Sequence, residues 1–174
     1  MSKRTLNKQG FTLIEIIVSI LLLGIVAVVI GRETVNMVDS FISARTNAAT
    51  LQKGQTAITR IQKELNNVKT VYIDPAKTNG TKITFTSYKD AIEHTISWGG
   101  SGTDLLLDGI VLTDKVSSFS LAYYDNYNGT ASTTFLTTSR IIEINLIITG
   151  WQNITSAFKG RVAPSFSFDT LTGA

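Results

Sequence analysis

The chain has no cysteine, two prolines, one histidine and few charges, and each shortage removes a class of protein. Without cysteine there is no disulfide, no thiol nucleophile and no cysteine-ligated metal, so the fold must be held by its core alone. The lone histidine, His94, has no ordered Ser/His/Asp pattern or metal-ligand spacing around it. It reads as a structural or surface residue, and no catalytic residue, metal or cofactor is expected. Charged residues are 17% of the chain, below the roughly 25% of an average soluble domain. The net charge of +3 is too small and scattered for a nucleic-acid-binding face. All of that excess comes from Lys3, Arg4 and Lys8, so the remaining chain is near neutral.

What is abundant is apolar sequence in one place. Residues 11–31, FTLIEIIVSILLLGIVAVVIG, contain fifteen Phe, Leu, Ile or Val, no proline and a single charge, Glu15. As a helix rising about 1.5 Å per residue this run reaches roughly 30 Å, the thickness of a bilayer's hydrocarbon core. Each of the fifteen favours insertion by about 0.3–0.6 kcal/mol, against a penalty of about 3 kcal/mol for one carboxylate, so insertion wins. Three basic residues precede the run, whereas only Arg32 follows it closely, beside Glu33 and Asp39. That asymmetry keeps the N-terminus cytoplasmic and places residues from about 32 onward outside. The run is longer than a secretory signal's, and no Ala-x-Ala site follows it. A plain signal anchor is the alternative.

The string KQGFTLIE at residues 8–15, where a cationic leader ends in Gly10 just before Phe11, resembles the processing signature of type IV prepilins and the related pseudopilins of type II secretion. The resemblance implies cleavage between Gly10 and Phe11 by a membrane-embedded prepilin peptidase, with methylation of the new N-terminal residue. It also implies an assembly role for Glu15. The chemistry is compatible: glycine offers a protease an unobstructed, flexible backbone. A carboxylate in hydrocarbon must protonate or find a cation, and a neighbouring subunit's α-amine would neutralise both groups and set the register between helices.

No proline occurs between Gly10 and Pro75. Val38, Phe41, Ala44, Ala48, Leu51, Ile58, Ile61, Leu65 and Val68 recur at three- and four-residue steps, interrupted near Gly54. This predicts one helix leaving the membrane with an apolar stripe packed on the domain's own sheet, ending near residue 68. Arg45, Lys53, Arg60, Lys63 and Glu64 mark its polar side. From Val71 the pattern changes to short β-rich runs: 71–73, 82–88, 92–98, 104–107, 110–113, 117–125 and 140–149. Asp74-Pro75, Asn79-Gly80, Gly99-Gly100, Asp108-Gly109 and Asn128-Gly129 punctuate them. Strands that follow one another without helices predict a mainly antiparallel sheet. Ile142, Ile144, Leu146 and Ile148 share one face of a central strand, with Glu143 and Asn145 on the other. Phe158, Val162, Phe166 and Phe168 suggest a final edge strand or hairpin.

The expected organisation is a leader at 1–10, a membrane helix at 11–31, an extracytoplasmic half-helix at 32–69 and a β-rich domain at 70–174. That α+β layout resembles the pilin-like fold. Residues 114–149, with DKVSSFSLAYYD, a Gly/Thr-rich loop and RIIEINLII, resemble the J-type minor pseudopilins. The resemblance implies a non-enzymatic subunit at the tip of a type II secretion pseudopilus, in the bacterial inner membrane. There it would help to start assembly with other minor and major subunits and contact secreted proteins. A minor pilin of a type IV pilus, serving pilus initiation, adhesion or DNA uptake, is the alternative. A membrane-anchored envelope enzyme is a more distant one.

Weaker candidates remain. Asp104, Asp108 and Asp114 could meet at a turn and hold a cation, and DNYNG at 125–129 partly matches a calcium loop. Turn chemistry explains them better. Tyr123, Tyr124 and Tyr127 form an aromatic cluster suited to protein or glycan contact or to sheet packing. The Asn-x-Thr triplets at Asn79, Asn128 and Asn153 are too common to be informative.

Overall fold

The computed structural model describes residues 10–165; Phe166 and Phe168 lie outside them, as does most of the basic leader. The chain divides between Ala44 and Arg45 into two compact units, and one helix, α1 (Leu13–Asn66), contributes to both.

Among the described residues nothing covers the helix in the first unit. All fifteen Phe, Leu, Ile and Val side chains of residues 11–31 are at least 50% exposed. The helix forms because the run lacks proline and its neighbours are compatible with helical geometry. Two of its hydroxyls are satisfied internally: Ser19 Oγ donates to the Glu15 carbonyl at 2.7 Å and Thr34 Oγ1 to that of Ile30 at 2.9 Å.

The second unit is α+β, with the C-terminal part of α1 packed on antiparallel sheets. Strands β1 (Val68–Val71), β2 (Lys82–Ser87), β3 (Glu93–Trp98), β4 (Leu105–Leu107) and β5 (Ile110–Thr113) make a five-stranded meander. Strands β6 (Val116–Tyr124), β7 (Ile141–Thr149) and β8 (Thr155–Val162) make a second, three-stranded one. Every pairing is antiparallel. The sheets are joined by the backbone bond from Leu121 N to the Gly80 carbonyl, 2.7 Å, and by the Tyr123 hydroxyl donating to the Asn79 carbonyl, 2.9 Å.

One core serves both sheets. Ile61 and Leu65 of α1 meet Ile83, Phe85 and Ile96 from the first sheet and Phe119, Leu121, Ile142, Ile144 and Leu146 from the second, all buried. The predicted alternation in β7 is present: Ile142, Ile144, Leu146 and Ile148 are all buried, and β7 is the central strand. At about 1.5–3 kcal/mol for each large apolar side chain fully removed from water, this cluster is the main stabilising term.

Three expectations need correction. The apolar stripe does not pack along its whole length: Val38, Phe41 and Leu51 are 50%, 67% and 49% exposed, and only Gly54, Ala57, Ile58, Ile61 and Leu65 of α1 are buried. Gly54 was expected to interrupt the stripe, yet it is the residue that lets the helix approach β8. A Cβ there would strike the ring of Phe158, and one at Gly160 would come within 2.8 Å of Gln62 Nε2. The helix ends at Asn66, so Val68 is buried as the first residue of β1 rather than as the last of a helical stripe.

Ile61→Ala should lower the unfolding free energy of the second unit by about 2–5 kcal/mol, because it opens a cavity in a fully buried site. Ile20→Ala, at a site the chain leaves 66% exposed, should not change it. Urea titration of the detergent-solubilised chain, followed by tryptophan fluorescence, separates the two.

Candidate functional site

The candidate site is the head of α1. Gly10 is exposed, with open space where a Cβ would sit, and Phe11 is 78% exposed. The helix starts at Leu13 rather than at Phe11, and Thr12 caps it: the Glu15 N–H donates to Thr12 Oγ1 at 3.4 Å and to the Thr12 carbonyl at 3.1 Å. The Thr-Leu-Ile-Glu order is the sequence signature of a capping box, a signal that the membrane-anchor reading passed over. Only the threonine half is formed. Among the described residues the Glu15 carboxylate accepts no hydrogen bond from the chain.

Glu15 therefore sits in the first helical turn, exposed, where the helix dipole favours a negative charge. From Leu13 onward the helix is long and apolar enough to cross a membrane. Such an element can do two things: partition into lipid, and present one unpaired acid to a cation at the same depth.

The other candidates disperse. Among the described residues no group of three or more His, Asp or Glu side chains is placed to hold a metal ion. Asp104, Asp108 and Asp114 do not converge: Asp114 pairs with Lys53 of α1 at 2.9 Å, and Asp108 turns to His94. In the DNYNG loop Asn126 Oδ1 accepts from the Asn128 N–H at 3.1 Å, the turn chemistry expected. The tyrosines split. Tyr123 is core, 1% exposed and edge-on to Phe135 at 5.3 Å, and its burial pushes the hydroxyl pKa far above the ordinary tyrosine value. Tyr124 and Tyr127 instead flank the Arg161 guanidinium, at 4.9 and 5.4 Å from their ring centres.

Two charge networks were not foreseen. Glu143 lies on the face of β7 opposite the core but is only 4% exposed. Its cross-strand partner Arg161 meets it at 2.6 Å and Lys159 at 2.9 Å, and their side chains cover it. Burial works to raise its pKa, but the bonds from Lys159, Arg161 and Asn145 prevail and bring it down to about 2. His94, in β3, has Asp108 at 2.6 Å from Nδ1 and Asp90 at 3.1 Å from Nε2. Carboxylate oxygens only accept, so the doubly protonated ring is the form that can donate to both at once. The Asp108 bond, reinforced by Asp90 and opposed by burial, raises its pKa above the ordinary 6.5.

These shifts have opposite signs. Glu143 is depressed, so its contribution is present above the ordinary value of 4.5 and is lost as pH falls toward about 2. His94 is raised, so its contribution is present below 6.5 and is lost as pH rises through the folded value. Urea midpoints measured against pH should show both limbs, with Glu143→Gln flattening the acid one and His94→Asn the alkaline one.

No curated protein and no solved structure matches the chain. Residues 5–31 match the family model described as the prokaryotic N-terminal methylation motif, which spans Gly10, Phe11, Glu15 and the apolar run. That motif leads into an apolar helix that continues into an α+β domain, a pilin-like layout.

Proposed function

We propose that the chain is a structural, non-enzymatic subunit of a pilin-like filament, made as a membrane-anchored precursor. The observation that carries this reading is the uncovered run of fifteen apolar side chains with Glu15 as its one charge. Such a surface is stable in lipid, or against similar helices once it has left lipid. Prepilin peptidase cuts between Gly10 and Phe11 and the new amine is methylated. Lys3, Arg4 and Lys8 hold the leader on the cytoplasmic side of the inner membrane, residues 11–31 span it, and 32–69 and 70–174 lie beyond it. Glu15 pairs with the α-amine of an adjacent subunit, which offsets two desolvation costs at once and fixes axial register.

Within that frame we favour a minor pseudopilin of type II secretion, placed at the tip and helping to start assembly. The support is the likeness of residues 114–149 to the J-type subunits. A minor pilin of a type IV pilus is the alternative. Neighbouring genes discriminate: a secretin and a secretion ATPase favour the first, a retraction ATPase the second.

Replacing Gly10 by Leu should leave a membrane-inserted precursor ten residues heavier than the mature chain, read by intact-protein mass spectrometry. Normal processing of that variant refutes the cleavage assignment. Glu15→Val should be inserted and cut normally but enter filaments or tip complexes at least tenfold less efficiently, read by shearing and immunoblotting. Undiminished assembly removes Glu15 from the mechanism.

A further inference from the structure

Among the described residues the second unit has four sheet edges, and three of them are guarded. β1 carries Lys69, and β8 carries Lys159 and Arg161. β6 is bridged at Tyr123 by Ser132, and the Gly102 N–H donates to its Val116 carbonyl at 3.0 Å. The fourth, β5, reads Ile-Val-Leu-Thr, with neither charge nor proline, and Ile110 and Val111 are 74% and 53% exposed. Uncharged apolar edges are normally blunted because they invite another strand.

The backbone at this edge is also open. Asp108 and Gly109, at φ 53° and 79°, form the two-residue turn between β4 and β5. Leu107 and Ile110 close that turn as the hydrogen-bonded pair, so the next pair, Leu106 and Val111, is the non-bonded kind. The Val111 N–H and C=O therefore point away from β4, toward the side where β5 has no neighbouring strand among the described residues. A register shift at Leu112 interrupts the ladder beyond, so the exposed template is short.

The chemistry beside the edge is cationic. A small depression of about 90 Å³ lined by Arg60, Asp108 and the β5 residues Ile110, Val111 and Leu112 adjoins a groove of about 540 Å³ that Arg60 also lines, with Lys63, Glu64 and Lys89. Among the described residues neither Arg60 nor Lys63 makes an ion pair. Asp108, which also lines the depression, is already paired with His94.

We propose that the β5 edge and the adjoining Arg60–Lys63–Lys89 groove form a docking surface for an extended, carboxylate-bearing segment of a partner protein. The segment adds as a short strand: its backbone bonds to Val111, its apolar side chains lie against Ile110 and Val111, and its acids meet the three cations. This goes beyond the filament assignment, because it concerns the second unit's own surface and stands whether or not Gly10 is cut.

The test uses the full chain in detergent micelles and two fluorescent hexapeptides, one alternating Glu and Val, the other Lys and Val, with binding read by anisotropy. The acidic peptide should bind at least tenfold more tightly than the basic one. N-methylating its alternate amides should weaken it at least tenfold, and Arg60→Glu combined with Lys63→Glu should abolish or reverse the preference. Equal binding of the two peptides, indifference to N-methylation, or an unchanged preference in the charge-reversed variant would each overturn the proposal.

Discussion

The structure depends on how one apolar surface is kept from water. Along residues 11–31 fifteen large apolar side chains find no cover among the described residues, and an exposed surface of that extent is not stable in an aqueous monomer. Lipid satisfies it, and so does packing against other helices of the same kind. Both are environments in which a single carboxylate becomes expensive unless it is neutralised. The physical problem set by the apolar run and the solution proposed through Glu15 are thus one constraint seen at two stages.

The same helix changes character along its length. Up to Leu51 its apolar residues remain uncovered, whereas from Gly54 to Leu65 one face is sealed into the core shared by both sheets. Two features make the close approach possible: glycines at 54 and 160 give room to Phe158 and Gln62. Polar anchors accompany it, with Asn47 Oδ1 accepting from the Trp151 N–H at 3.1 Å and Lys53 bonding Asp114 at 2.9 Å. The exposed ion pair contributes little by itself, about 0–1 kcal/mol, so the apolar contacts dominate.

Charge elsewhere is handled by pairing across elements. Glu143 is tolerated under the arginine and lysine of β8 because the register places Arg161 directly opposite it. His94 joins the turn after β2 to the turn after β4 through two carboxylates, Asp90 and Asp108, that would otherwise repel. The same clasp engages Asp108 beside the β5 edge, where among the described residues Arg60 and Lys63 make no ion pair.

Much was legible in the residues because it depends on local pattern. The membrane-length helix follows from composition, the strands from alternation and turn residues, and the buried face of β7 from Ile142 to Ile148 at a period of two. The candidate head of the helix was legible as KQGFTLIE, and only its Thr12 cap was passed over. The tertiary structure alone decided which half of the helical stripe is covered, that Gly54 is a contact rather than a break, and that the strands divide into two sheets. It alone also brought His94 between two aspartates and Glu143 beneath Arg161. The reason is physical: periodicity reports which side of an element is apolar, but what meets that side is set by register and by partners tens of residues away, which no local pattern encodes.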